Sequence, residues 1–448
     1  MNRSIFDVLR EEGLTTFKIR HDFKTGRFWM EAMKQWDPDL DFSKYNKEFY
    51  VESILSEDVK YYNTKQVREL FAKYDLEDYL DEVLDLIRQG RHFGIECYYN
   101  AKYDIRFECN QHSRKLGVHN KRHATLAGGI RRHDPSEEEK DVIIDGLNLG
   151  RGMSFKNVAG HLDFGGCKTT VTMGPLDLNN MEIMGFLGFA IDNCRTMTGP
   201  DMNFPTEMAD VENANFSMNY TSGPNSPLGE TGKPTAYGIY VTMKQATRFK
   251  YGSECLDGKK IVLIGLGAVG WYLGEYLLQE KVDLYVADLN PETSKKFAAE
   301  NGGTAIDLDG AMFTKCDILS PCAIGGIFDD KTIPQLNCDI VWGSANNQLK
   351  ASSQEEEYRL AKIMQDNNIL FQTEWWHNTA GVICGAQEYI EGRKATYEKL
   401  IKVIDDTMPA STWENLNTAE KLGITPCENV YRVCENIIYG DEEMEFDD

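Results

Sequence analysis

The sequence lacks the usual features of a membrane-spanning, secreted or zinc-binding protein. Its longest apolar run, residues 261–274, is too short and too rich in glycine to cross a bilayer. Acidic residues come early at the N-terminus, and no apolar signal stretch accompanies them. The 11 cysteines form no CxxC pair and no Cys/His spacing typical of zinc. We therefore expect reduced thiols in a cytoplasmic protein without a bound metal or a membrane partner.

Basic residues are also scarce. The chain has 48 Lys and Arg against 71 Asp and Glu, which gives a formal net charge of -23. Nucleic-acid binding needs clustered cations, so this balance argues against a nucleic-acid partner. A small anionic ligand needs only a local basic site and remains possible. With 42% hydrophobic and 27% charged residues, the 448-residue chain can form an ordinary globular core.

The hydrophobic pattern changes along the chain and divides it into four segments. Residues 1–95 show helical periodicity and no chemical motif, which predicts a helical N-terminal extension. Residues 96–233 alternate strand-like runs with glycine-rich joints, whereas 234–415 alternate apolar strands with helices, as in a parallel sheet. Residues 416–448 predict C-terminal helices, which we expect to return to the second segment, and then an acidic tail.

The glycine-rich segment KIVLIGLGAVG, residues 260–270, has the complete context of a dinucleotide-binding turn. An apolar strand precedes the first glycine, a helix follows the third, and a second strand ends in Asp288. Such glycines permit a tight turn and a close approach of the pyrophosphate, and the acid accepts the ribose hydroxyls. No Lys or Arg directly follows Asp288, which favours NAD over NADP. The expected cofactor residues here are Gly265, Gly267, Ala268, Val269, Gly270 and Asp288.

Two lysines, Lys156 and Lys168, lie beside small residues upstream of this segment. A neighbouring cation and partial desolvation both lower the pKa of a lysine. One such lysine can act as a general base near neutral pH while the other holds a carboxylate. On spacing alone, two solvated surface lysines remain the alternative.

Several motifs occur in the order found in the Glu/Leu/Phe/Val dehydrogenase family: GRGMSFKN, GGCK, PTAYGIY, GLGAVG, SANNQL and HNTAGVI. The chain resembles this family over about residues 96–440, most closely its leucine and phenylalanine members. The resemblance implies an α/β fold in which a substrate-binding domain and a Rossmann-like domain enclose a cleft. It also implies a homo-oligomer that deaminates an L-amino acid with NAD, giving the 2-oxo acid and ammonia, and runs the reverse reaction. The alternatives are a divergent oxidoreductase acting on a non-standard amine or imino acid, and a non-catalytic NAD-binding homologue.

The resemblance assigns three chemical roles. Lys156 is similar to the lysine that binds the substrate α-carboxylate, and Lys168 to the catalytic lysine that activates water. Asp201 is similar to the acid that takes a proton from the substrate amine. This last assignment is open, because the surrounding GPDMN departs from the family pattern. The other residues that could occupy this position are Asn203, Glu207 and Asp210.

The resemblance also predicts the walls of the site. Ala127 stands where a glutamate enzyme has a lysine, so a γ-carboxylate would be unpaired and glutamate is not expected. Small residues at other wall positions imply room for a bulky apolar or aromatic side chain. Arg131, Arg132 and His133 leave a polar or anionic side chain open. Expected substrate-side residues are Ala127, Gly129, Gly199, Asn347, Val382 and Gly385; further cofactor-side residues are Thr235, Cys322, Ala323 and Asn347.

Overall fold

A computed structural model describes residues 3–47, 58 and 60–440 of the chain. It contains two β-sheets with helices packed on them, which confirms the predicted α/β fold. None of the helices in the described ranges is both long and apolar enough to cross a bilayer. The predicted acidic tail, residues 441–448, lies outside the described residues.

The first sheet has nine strands in the order β3-β2-β1-β4-β5-β8-β6-β9, and β7 pairs with β8. Neighbours from β3 to β8 run antiparallel, whereas β6 and β7 run parallel to β8. The strands are β1 Thr16–Asp22, β2 Arg27–Met33, β3 Tyr61–Tyr62, β4 Gly94–Asn100, β5 Ile105–Ser113, β6 Leu126–Ala127, β7 Ile130–His133, β8 Gly165–Thr172 and β9 Thr196–Met197. The accompanying helices are α1 Ile5–Glu12, α2 Thr64–Lys73, α3 Glu77–Gln89, α4 Glu139–Ala159, α5 Met181–Cys194 and α6 Glu207–Asn215.

The second sheet has six parallel strands in the order β12-β11-β10-β13-β14-β15, the arrangement of a Rossmann-type domain. Its strands are β10 Lys260–Ile264, β11 Asp283–Ala287, β12 Thr304–Ala305, β13 Ile318–Pro321, β14 Ile340–Val341 and β15 Leu370–Phe371. The helices are α7 Gly232–Tyr251, α8 Gly270–Gln279, α9 Pro291–Asn301, α10 Gln354–Asp366, α11 Glu374–His377, α12 Ala380–Glu391, α13 Tyr397–Leu422 and α14 Pro426–Tyr439.

The prediction that residues 1–95 form a helical extension is wrong. Strands β1, β2 and β3 lie in this segment, and β1 pairs with β4 as the continuation of the first sheet. Apolar side chains of this segment, such as Phe17 and Leu80, share one core with Ile143 and Leu147 of α4. The proposed boundary at 95/96 falls inside β4, so the segment is an integral part of the first domain.

The C-terminal boundary at 415/416 also falls inside an element, because α13 runs without a break from Tyr397 to Leu422. Beyond it, α14 packs against α4 of the first domain. The ring of Tyr431 packs edge-on against Phe155, and the Tyr439 hydroxyl lies 2.7 Å from His112 Nε2. The chain thus returns to the first sheet after the second one is complete.

Candidate active site

A cavity of about 500 Å³ opens between the two sheets. Lys156, Lys168 and Asp201 contribute to its wall from the first domain, and Thr235 and Ala268 from the second. These residues are far apart in the sequence and meet only through the fold. An interdomain cleft with a few convergent polar groups is the usual form of a small-molecule site.

The centre of the first-domain wall is an ion pair between Lys168 of β8 and Asp201, which follows β9. The Lys168 side chain is only 8% exposed, and its ammonium donates to Asp201 Oδ2. Arg131 of β7 donates to the same oxygen from two nitrogens, at 3.1 and 3.2 Å. Burial alone would raise the pKa of Asp201, but the charges and hydrogen bonds of Lys168 and Arg131 lower it to about 2. Asp201 is therefore an ionised carboxylate at neutral pH.

Lys156 lies in the last turn of α4 and has a different environment. Its Nζ donates to the amide oxygen of Asn346 at 3.3 Å, and that oxygen also accepts from Asn378 Nδ2 at 2.8 Å. Burial lowers the pKa of Lys156, and the charge of Lys168 adds to this effect, whereas Glu374 and Asp201 oppose it. The ammonium faces a neutral amide in the cleft, an arrangement suited to binding an incoming anion.

Most of the expected substrate-side residues line the cavity. Gly129, Gly199, Val382 and Gly385 are all part of its wall. Ala127 is not, because its side chain is fully buried in an apolar cluster behind the wall. The glycines after it line the cavity instead, so the prediction for Ala127 is wrong in its detail. The wall also contains residues that no sequence pattern had indicated: Gly128, Met153, Met197, Thr198, Thr221, Ser222 and Asn346.

The structure also corrects the prediction for Asn347. Its backbone has a left-handed φ of 52°, and its N–H donates to the buried Glu374 carboxylate at 2.7 Å. The amide that lines the cleft and contacts Lys156 belongs to the preceding residue, Asn346. Two adjacent asparagines in SANNQ gave no signal to choose between them, because the choice depends on the local backbone turn.

The glycine-rich loop between β10 and α8 has the close packing expected of a phosphate-binding turn. Gly265 has a φ of 98°, and a Cβ on Gly270 would lie 1.9 Å from the Gly265 carbonyl oxygen. A Cβ on Gly267 would meet nothing within 4 Å, so this glycine faces open space. Asp288 directly follows β11 beside the loop, and its Oδ2 accepts the Leu266 N–H at 2.8 Å. The loop geometry and the acid together fit a dinucleotide.

The remaining expected cofactor residues lie around this loop. Val269 and Ala268 line the cleft at the start of α8, and Thr235 does so from α7. The Thr235 hydroxyl donates to the Thr231 carbonyl at 2.7 Å, which fixes its orientation. Cys322 and Ala323 follow β13. Ala323 lies so close to Gly265 that a Cβ added to Gly265 would be 2.6 Å from the Ala323 Cβ. Thr235, Ala268 and Val269 thus share one wall of the cleft, and Ala323 lies against the glycine-rich loop.

Comparisons with known proteins point to one family. Residues 111–223 match the family model described as Glu/Leu/Phe/Val dehydrogenase, dimerisation domain. A leucine dehydrogenase from Thermoactinomyces intermedius is 34% identical over 62% of this chain and 77% of its own length. A phenylalanine dehydrogenase from Lysinibacillus sphaericus is 32% identical over 73% of this chain and 85% of its own.

Solved structures lead to the same conclusion. The crystal structure of L-tryptophan dehydrogenase from Nostoc punctiforme matches with a TM-score of 0.67 and 25% identity, covering 79% of this chain and 98% of that one. A hetero-hexameric glutamate dehydrogenase from Thermus thermophilus shares the fold, with a TM-score of 0.55 and 16% identity over 74% of this chain and 84% of that one. The chain therefore belongs to the Glu/Leu/Phe/Val dehydrogenase family.

Proposed function

We propose that the protein is an NAD-dependent dehydrogenase of bulky apolar or aromatic L-amino acids. The overall reaction converts the amino acid, NAD⁺ and water into the 2-oxo acid, ammonium, NADH and a proton. The observation that carries the proposal is the meeting of Lys156, Lys168 and Asp201 in one cavity beside a dinucleotide-type loop. The named relatives act on leucine, phenylalanine and tryptophan, which supports this substrate class.

In the proposed reaction, Lys156 binds the substrate α-carboxylate. The substrate ammonium approaches the Asp201 carboxylate and separates it from Lys168, with which it forms an ion pair in the free protein. With Lys168 displaced, Asp201 is free to take a proton from the substrate ammonium. A bound dinucleotide would supply the acceptor for the hydride on Cα, and Thr235 and Ala268 are among the residues that would border it. Lys168, after its ammonium has released a proton to solvent, takes a proton from the water that attacks the iminium carbon. The protonated Asp201 then returns its proton to the carbinolamine nitrogen, and ammonia leaves as the hydroxyl proton is lost to solvent and the 2-oxo acid forms.

The composition of the cleft wall favours a substrate with an apolar side chain. Gly129, Gly199 and Gly385 have no side chains to fill it, and Val382 and Met197 are apolar. Burying a large apolar side chain there contributes on the order of 2–3 kcal/mol to binding.

The three basic residues that follow Gly129 have other partners. Arg131 pairs with two carboxylates, and Arg132 donates to the backbone oxygens of Asn203 and Met173. His133 pairs with Glu137. None of the three is part of the cavity wall within the described residues. A side-chain carboxylate would therefore be left unpaired in the cleft, which argues against glutamate as a substrate.

NAD is the proposed cofactor because of Asp288. Its carboxylate is fixed at the end of β11 by the Leu266 N–H, where it can accept ribose hydroxyls and repel a 2′-phosphate. Leu289 and Asn290 follow it, so no adjacent cation favours NADP. We further propose a cytoplasmic homo-oligomer, and the match of residues 111–223 to a family model described as a dimerisation domain supports the assembly.

The test is NADH formation across a panel of L-amino acids and simple amines, together with the reverse reaction of 2-oxo acids with ammonia. We expect turnover of apolar and aromatic amino acids. Lys168→Ala should lower kcat by about 10²- to 10⁴-fold while NADH binding is retained. Lys140→Ala on α4, which removes a surface ion pair with Glu82, is the control and should behave like the wild type.

The same panel separates the alternatives. Turnover confined to amines would indicate a divergent oxidoreductase, and tight NADH binding without any turnover would indicate a non-catalytic homologue. Unchanged kcat in Lys168→Ala would contradict the assigned role of that lysine.

A further inference from the structure

Arg131 connects the candidate active site to a second carboxylate outside the cleft. Its Nη1 donates to both oxygens of Asp145, at 2.9 and 3.1 Å, while its Nε and Nη2 donate to Asp201. The arginine side chain is 17% exposed. A guanidinium held from both sides in this way has little freedom to rotate. The position of the Asp201 carboxylate therefore depends on Asp145 as well as on Lys168.

Asp145 in turn pairs with a histidine. His133 Nε2 lies 3.3 Å from Asp145 Oδ2, an ion-pair distance, and His133 Nδ1 lies 2.8 Å from Glu137 Oε2. The contact with Glu137 has hydrogen-bond geometry, whereas the contact with Asp145 is an ion pair only, which requires the charged imidazolium form. Asp145 and Glu137 raise the pKa of His133, against the effect of its burial. The ring is 6% exposed, so water cannot replace either partner easily.

The strand geometry explains why these residues form one chain. Arg131 and His133 are two positions apart on β7, so they project from the same face of the sheet towards α4, which carries Asp145. Arg132, between them, projects the other way and donates to the Asn203 carbonyl at 3.1 Å. Strand β7 thus carries Arg131 and His133, which contact Asp145, and also Arg132, which does not and can serve as a matched control.

We propose that Arg131, Asp145 and His133 are positioning residues that hold the Asp201 carboxylate in place at the cleft wall, and that protonated His133 strengthens this hold. The proposal rests on the proposed function, in which Asp201 exchanges a proton with the substrate. When His133 is protonated, the Asp145 carboxylate forms ion pairs with both His133 and Arg131. When His133 loses its proton, Asp145 attracts Arg131 more strongly and less of the guanidinium charge serves Asp201.

This coupling has a definite sign. The cations facing Asp201 are Lys168, Arg131 and, further away, Lys156; those that lower its pKa most are Lys168 and then Arg131. Loss of Arg131, or of the charge on His133, therefore raises the pKa of Asp201. The acid limb of the kcat/KM profile, where Asp201 becomes protonated, should then move to higher pH.

The first experiment measures kcat/KM against pH for the wild type, Arg131→Met, Arg131→Lys, His133→Gln and Arg132→Met. We expect Arg131→Met to lower kcat/KM by roughly 10- to 100-fold and to move the acid limb upward. His133→Gln should move it in the same direction by less, and Arg131→Lys should bring it back towards the wild-type position. Arg132→Met should leave it in place. NADH binding by each variant verifies that the chain is folded.

The second experiment does not depend on turnover. The titration of His133 is followed by NMR of the full chain labelled at histidine Cε1, with His133→Gln used for assignment. Asp145→Asn removes a carboxylate that raises the pKa of His133, so the titration should move to lower pH. An unmoved His133 titration, or an acid limb unchanged in both Arg131→Met and His133→Gln, would overturn the proposal. Absence of amino acid turnover in the wild type would instead contradict the proposed function. The NMR titration would still test the contact between His133 and Asp145.

Discussion

Two glycines of the cofactor loop, Gly265–Gly270, should respond differently to substitution by alanine. At Gly270 the added Cβ would lie 1.9 Å from the Gly265 carbonyl oxygen, whereas ordinary contacts begin at 3.4 Å. The loop or the start of α8 must therefore move by roughly 1.5 Å. At Gly267 the added Cβ meets nothing within 4 Å and φ is not left-handed, so the free protein can accept the methyl group.

The expected magnitudes follow from these distances. Overpacking of this kind costs about 1–3 kcal/mol, so Gly270→Ala should lower Tm by several degrees and weaken NADH binding. Gly267→Ala should change stability by less than about 0.5 kcal/mol. It should nevertheless weaken NADH binding about tenfold or more, because the methyl group occupies the space that the pyrophosphate needs.

The assay combines thermal unfolding of the free protein with NADH fluorescence titration. Gly174→Ala is the control, because a Cβ there also meets nothing within 4 Å and the residue lies outside the cavity wall. Two results would contradict these predictions: Gly270→Ala unfolding at the wild-type temperature, and Gly267→Ala binding NADH as tightly as the wild type. The first result would contradict the packing argument and the second the place assigned to the cofactor.

Three further predictions concern the cofactor, the substrate and stability. Asp288→Asn keeps an acceptor for the Leu266 N–H but removes the charge, so the ratio of kcat/KM for NAD over NADP should fall about tenfold. Gly385→Val narrows the cleft, since even a Cβ would lie 3.0 Å from Thr221 Oγ1, and kcat/KM for phenylalanine should fall about tenfold relative to alanine. Burial and the charge of Glu374 raise the pKa of Glu357 from 4.5 to about 7, so its favourable contribution to folding is lost as pH rises through that range. Glu357→Gln should therefore unfold at a higher temperature than the wild type near pH 8 and at a similar one near pH 4, and equal differences at both would contradict this.

The parts of the molecule that were predictable from the sequence depend on short stretches of chain. The cofactor loop is a strand, a turn and a helix in sequence, and its glycine pattern reports backbone geometry directly. The alternation of strands and helices after residue 258 likewise gave the parallel sheet. Residues 1–95 were harder, because the helical periodicity of α2 and α3 dominated the pattern. Strands β1 and β2 become recognisable only through their pairing with each other and the pairing of β1 with β4, which begins more than seventy residues after β1 ends.

The wall of the substrate site was less predictable because it is set by tertiary contacts. Ala127 and Gly128 are adjacent, yet one is buried in the core and the other lines the cleft. Asn346 and Asn347 differ in the same way, since the left-handed turn at Asn347 directs its backbone to Glu374. A one-residue error of this kind cannot be corrected from composition or spacing, because neither determines which way a side chain points at the end of a strand.

The basic triplet after Gly129 shows how partners decide function. From the sequence alone, Arg131, Arg132 and His133 leave a polar or anionic substrate side chain open. In the fold, Arg131 is paired with carboxylates 14 and 70 residues further along the chain. Because both carboxylates are supplied by the protein, the guanidinium charge is already neutralised and offers little to an anionic side chain. Lys156, by contrast, donates to the neutral amide of Asn346 and not to a carboxylate, so its charge is available to a ligand. This one charge suits the single α-carboxylate common to all amino acids.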